Sequence, residues 1–145
     1  DQGPVGSRRR GRYRAVVKEN DATLLAVVDD DADVRMALMR LVSSAGFAVE
    51  TSATGAEFMR SVQDHEPDCV VLDLHMPGMS GFEVQHALAV AHAAVPVVVI
   101  TGHDTPESRT RALRLGARGY LCKPVDDEAL LSAIGSAIDR AAPAH

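Results

Sequence analysis

Five short apolar runs along the chain alternate with stretches whose apolar residues recur at helical spacing. The first run, residues 24–28, ends at Asp29, Asp30 and Asp31. Beyond it Val34, Ala37, Leu38, Leu41, Val42 and Ala45 stand at offsets 0, 3, 4, 7, 8 and 11, one face of a helix, and Gly46 is placed to stop it. Residues 47–51 form the second run, after which Thr54 and Glu57 make a T-x-x-E capping box opening a helix to about His65. The third run, 69–72, ends at Asp73 and leads through a Met-Pro-Gly loop to a second box, Ser80 with Glu83, ahead of Val84, Ala87, Leu88 and Ala91. The fourth, 95–100, ends at Thr101; Pro106 begins a helix through Leu115 that Gly116 ends. The fifth, 118–122, stops at Lys123-Pro124, and Asp126 caps a last helix to about Arg140 carrying Leu130, Leu131, Ile134 and Ile138.

Parallel strands need crossover connections, and five strand-helix units with short links predict an α/β fold with helices on both faces of one sheet. The expected architecture is a doubly wound, five-stranded parallel sheet, flavodoxin-like, in strand order 2-1-3-4-5. The expected domain is 23–141, with residues 1–22 as a disordered basic leader or expression remnant and 142–145 as a tail. The leader reading rests on Asp1 in place of an initiator Met and on Gly3, Pro4, Gly6, Ser7 and Gly11, which resist regular structure.

Composition sharpens this in three ways. Hydrophobic residues make up 46% of the 145 residues but aromatics only 3%, so the core must be aliphatic, as in parallel sheets. The longest apolar run, residues 93–100, is far shorter than the roughly 20 residues of a membrane-spanning helix. No membrane partner is expected, and two isolated cysteines without a disulfide framework predict a reducing, cytoplasmic setting. Residues 1–20 carry six Arg/Lys against two acids, whereas residues 21–145 carry nine against eighteen, so the body is acidic and is not expected to bind nucleic acid directly.

In open α/β sheets the site lies beyond the carboxyl ends of the strands. Four strands deliver polar residues there: the Asp29–Asp31 triplet, Asp73, Thr101 and Lys123. Two carboxylates about 4 Å apart repel by about 4 kcal/mol at an effective dielectric near 20, so either a carboxyl stays protonated or a cation sits among them. Magnesium suits one or two carboxylates plus water and leaves room for a phosphate oxygen, while the Lys123 ammonium adds charge. One carboxylate can then attack phosphorus, with Thr101 able to hydrogen-bond the transferred group and Gly102 leaving space for it.

The motifs V-V-D-D-D at 27–31, V-L-D-L-H-M-P-G-M-S-G at 71–81, V-I-T-G at 99–102 and G-Y-L-C-K-P at 119–124 resemble the receiver domain of two-component response regulators, over residues 23 to about 140. The resemblance implies that Asp29 and Asp30 are the acidic pair that binds Mg2+, that Asp73 is the phosphoacceptor and a metal ligand, and that His75 gives its backbone carbonyl to the metal. It further implies Thr101 as the switch hydroxyl, Tyr120 as the aromatic switch, and Lys123 as the charge partner before a cis bond to Pro124. The implied activity is acceptance of a phosphoryl group rather than turnover of a substrate. The implied partners are a sensor histidine kinase or phosphotransfer protein, an output domain or target protein, and a second copy through the face of helix 4, strand 5 and helix 5. Arg109, Arg111, Arg114 and Arg118 lie on or beside that face. The wording is closest to receivers of nitrogen-fixation-type transcription regulators, which usually continue into a DNA-binding domain.

Two other readings compete with the phosphoacceptor. A degenerate receiver acting as a phosphorylation-independent interaction module would not need the complete set of Asp29, Asp30, Asp73, Thr101 and Lys123. An aspartyl-phosphate phosphatase generally has a second acid two residues after its nucleophile, where this chain has His75. The His75 ring is read as a surface group that tunes phosphoryl lifetime, and Cys69 and Cys122 as small packed hydrophobes. Met76 and Met79 are read as loop packing over the acidic pocket.

Overall fold

The computed structural model describes residues 23–141, with no account of the side chains of Arg140 and Ala141. The leader expected at 1–22 and the tail at 142–145 lie outside the described residues. Ten elements alternate: β1 (Leu24–Val28), α1 (Ala32–Ser44), β2 (Ala48–Ser52), α2 (Gly55–Asp64), β3 (Cys69–Asp73), α3 (Gly81–Val90), β4 (Val97–Thr101), α4 (Pro106–Arg114), β5 (Gly119–Cys122) and α5 (Asp127–Ala141). The strands form one parallel sheet in the order β2-β1-β3-β4-β5, as the sequence predicts.

Period-two alternation sorts each strand between two cores. Leu25, Val27, Val71, Val98 and Ile100 pack with Leu38 and Val42 of α1 and with Leu130, Ile134 and Ala137 of α5. Ala26, Val28, Val70, Leu72 and Val99 pack on the other face with Phe58, Phe82, Val84, Leu88 and Ala112 of α2, α3 and α4. The central strands β3 and β4 are buried at every position, whereas the edge strands β2 and β5 are mostly half-exposed.

Local signals explain the boundaries. Ser80 and Glu83 form a full reciprocal capping box at 3.2 and 2.8 Å. Thr54 caps α2, but the Glu57 carboxylate reaches one residue further back than expected and accepts from Ala53 N–H at 2.7 Å. Thr105, unnoticed in the sequence pattern, caps α4 ahead of Pro106. Gly46 and Gly116 both stand at φ 101°, the left-handed turn that ends a helix. Cys69 is buried as expected, but Cys122 is exposed: it is the last residue of an edge strand, where alternation alone supplies no cover. Met76 is buried and Met79 half-buried, both joined to the core between the sheet and α2–α4.

Candidate phosphoryl and metal site

The carboxyl edge of the sheet gathers the acidic residues because two adjacent central strands, β1 and β3, end there side by side. Asp29 follows β1 and is fully buried, and Asp73 closes β3, also buried. Carboxylate oxygens of Asp29, Asp30 and Asp73 all lie within 4.8 Å of one another, with Asp30 exposed to solvent. Lys123, after β5, reaches back across the edge to place its ammonium 2.8 Å from Asp29 Oδ2 and 3.5 Å from Asp73 Oδ1. Its own N–H bonds the Thr101 carbonyl at 2.8 Å, and the Lys123-Pro124 peptide is cis, as the resemblance implies.

Each acid of the triplet has a different task. Asp29 Oδ1 accepts from Asp31 N–H at 2.9 Å, and the Asp29 carbonyl accepts from Arg35 Nη1 at 2.8 Å. Asp29 Oδ2 is buried and faces the Lys123 ammonium at 2.8 Å as its charge partner. Asp31 turns away and caps α1, accepting from Asp33 and Val34 N–H. The triplet therefore divides into two pocket acids and one helix cap.

Burial, and then the charge of Asp29, push the Asp73 carboxyl up from 3.8 to about 6, against the pull of Lys123 and the His75 backbone N–H. Lys123 is held above the usual lysine range: its burial acts to lower it, but bonding and attraction to Asp29 and Asp73 outweigh that loss. The pocket is thus short of positive charge for two buried carboxylates and one exposed one. Hard oxygen donors, three carboxylates gathered around one ammonium, fit a divalent ion such as Mg2+.

The remaining expected residues divide. Thr101 closes β4, beside β3 in the sheet, and its buried hydroxyl accepts from His103 N–H at 3.0 Å. His75 lies two residues beyond Asp73 with its ring exposed, edge-on to the rings of His103 and Phe82. Tyr120 is not in the pocket: its hydroxyl donates to Asp104 at 2.9 Å, and the Arg109 guanidinium stands 5.3 Å from its ring centre. A β-carbon at Gly102 would sit 3.7 Å from Lys123 Cδ, ordinary contact, so packing against the lysine does not require glycine there. Gly81 is different, because a β-carbon there would meet Leu74 Cα at 2.7 Å and the Asp73 carbonyl; only glycine lets α3 start against the end of β3.

The sequence reading passed over Arg35, Gln85 and Asp104. Asp104 lies two residues beyond the V-I-T-G motif, and only the fold brings it to Tyr120, sixteen residues away.

Comparison with known proteins bears on the fold and the family. The family model described as the response regulator receiver domain matches residues 25–135. The transcriptional regulatory protein FixJ of Azorhizobium caulinodans is 37% identical over 116 residues, 80% of this chain and 55% of that protein. PrrA of Mycobacterium tuberculosis is 42% identical over 98 residues, 68% of this chain and 42% of that protein. The chain spans about half the length of the curated relatives it matches. Among solved structures, the Vibrio cholerae chemotaxis protein CheY4 superposes with a TM-score of 0.74 at 30% identity, covering 79% of this chain and 97% of that one.

Proposed function

Because this chain belongs to the response regulator receiver family of bacterial two-component signalling, we propose that it accepts a phosphoryl group on Asp73 in a Mg2+-dependent transfer from a histidine kinase or phosphotransfer protein. The observation that carries the reading is the meeting of buried Asp73 with Asp29, Asp30 and the Lys123 ammonium at one sheet edge. Asp29, Asp30, Asp73 and the backbone carbonyl of His75 would hold the ion. Bound Mg2+ supplies charge neutralisation for the transferred oxygens.

In the transfer an Asp73 carboxylate oxygen bonds to phosphorus as the donor's N–P bond breaks, and the electron pair leaves with the donor imidazole. Lys123 releases part of its attraction to Asp73 and offsets the new phosphoryl charge. Thr101 Oγ1 already accepts from His103 N–H, so its own proton is the one left to donate to a phosphoryl oxygen. Tyr120, tethered to Asp104, is the second switch residue, and phosphorylation biases a two-state equilibrium of the α4–β5–α5 face. That face is where an output domain, a target protein or a second copy would dock. The family is one of signalling domains rather than classical enzymes, and a cytoplasmic setting fits it. Among the described residues no helix is long and apolar enough to cross a membrane.

The test is incubation with a small acyl phosphate and Mg2+ followed by intact mass. One phosphoryl adduct is expected, abolished by EDTA and absent in Asp73→Asn. An adduct that persists in Asp73→Asn, or no adduct in the parent, rejects the reading.

A further inference from the structure

Helix α4 rests on the sheet through very little apolar area. Of its nine residues only Ala112 is buried, and Leu113 is 46% exposed. Against this thin contact stands a buried amide: Gln85 of α3, 2% exposed, donates Nε2–H to the Ala112 carbonyl at 2.9 Å. A carbonyl can only accept, so the amide's orientation is fixed with its nitrogen toward α4. Its other end, Oε1, is buried and meets no donor among the described residues.

Such an arrangement is poor for stability in this one state. An orphaned buried acceptor costs at least as much as the bond on the other side of the amide returns, and a leucine would fill the slot without it. Ala112 O does not depend on Gln85, since Ala117 N–H also bonds it at 3.0 Å. The amide is therefore unexplained as a structural bond and needs a state in which its oxygen is used.

The surroundings indicate what that state involves. Phe82 lies three residues before Gln85 on α3, hence on the same face, and the Arg111 guanidinium of α4 stands 4.2 Å from its ring centre. Arg111 thus brings several N–H donors to the α3 side of the seam. The His75 ring meets the edge of Phe82 at 6.4 Å, so contacts run unbroken from two residues beyond Asp73 to α4.

We propose that Gln85 is a positioning residue that gives α4 two seats on α3, one held by its donor as seen here and one held by its acceptor after α4 shifts. What drives the exchange rests on the reading of Asp73 as a phosphoryl acceptor; the two-seated anchor itself does not.

The test is hydrogen exchange of the full chain, followed by mass spectrometry, for the parent, Gln85→Leu and Gln85→Met, with and without Mg2+ and beryllium fluoride as a phosphoryl mimic. Without ligand, α4 amides in both variants are expected to exchange no faster than in the parent, since an apolar side chain fills the slot without an orphaned acceptor and Ala112 O keeps its bond from Ala117 N–H, while α5 amides are unchanged. With ligand, the parent's change in α4 protection is expected to shrink in both variants, although the mimic still binds. A ligand-induced change in α4 protection as large in both variants as in the parent overturns the proposal, and so does ligand-free α4 exchange about five- to tenfold faster in both, the equivalent of one structural hydrogen bond lost. So does faster exchange of α4 and α5 together, or loss of folding in both variants, since either marks a merely structural amide. Failure of the parent to bind the mimic counts against the Asp73 reading alone, because the ligand-free comparison still decides the role of Gln85.

Discussion

Helices α4 and α5 flank the same edge strand on opposite faces of the sheet, yet they are attached by different physics. On α5, Leu130, Ile134 and Ala137 fall at i, i+4 and i+7 and are all fully buried. On α4 only Ala112 is buried, and the helix is otherwise held by the Gln85 amide and by Arg109 and Arg111 lying over Tyr120 and Phe82. Burial is non-directional and proportional to area, so α5 has one good position. Directional polar contacts can be exchanged for others, so α4 is the helix with freedom to occupy a second. That difference is what would let the proposed switching move α4 while α5 keeps its seat on the sheet.

Three substitutions grade the contrast. Ile134→Ala opens a cavity under α5 and is expected to cost about 2–5 kcal/mol of global stability by urea denaturation. Lys123→Met, at the strand end between the two helices, leaves buried Asp29 and Asp73 without their cation. With the lysine 22% exposed, the expected loss is about 2 kcal/mol at neutral pH without metal, discounted for solvent screening, and partly recovered by Mg2+. Leu113→Ala on the outer surface of α4 is expected to change stability by less than about 0.5 kcal/mol. A Leu113→Ala loss comparable to that of Ile134→Ala would erase the distinction between the helices.

The fold was legible because its signals are repeated: three central strands are apolar at nearly every position, and Gly46, Ser80 and Gly116 punctuate the helices between them. Edges were less so. Strand β2 begins one residue later than the apolar run, at Ala48, and Cys122 is exposed, because a half-covered strand has no strong pattern of its own. Asp29, Asp30, Asp73 and Lys123 could be read as one site, since each follows an apolar strand and parallel strands end on a common edge. Asp31 could be separated from its neighbours only through the resemblance, because an N-cap and a pocket acid are the same residue type at adjacent positions. Gln85 and Asp104 were illegible for another reason: their partners, Ala112 and Tyr120, are distant in the chain and carry no matching signal.

The electrostatic heart of the account is that Asp73 is held against its own charge until a cation arrives. With a folded value near 6 against 3.8 for the free group, the native state binds more protons than the unfolded state across that interval. Stability therefore falls as pH rises through about 4–6, and the penalty, roughly 1–3 kcal/mol, is fully present above that range. Denaturation of the parent and Asp73→Asn from pH 4 to 7.5, with and without Mg2+, measures it directly. Without metal, Asp73→Asn should gain on the parent as pH rises and be the more stable above pH 6, with Mg2+ closing the gap by stabilising the parent. A gap that does not vary with pH, or a parent indifferent to Mg2+, would contradict the account.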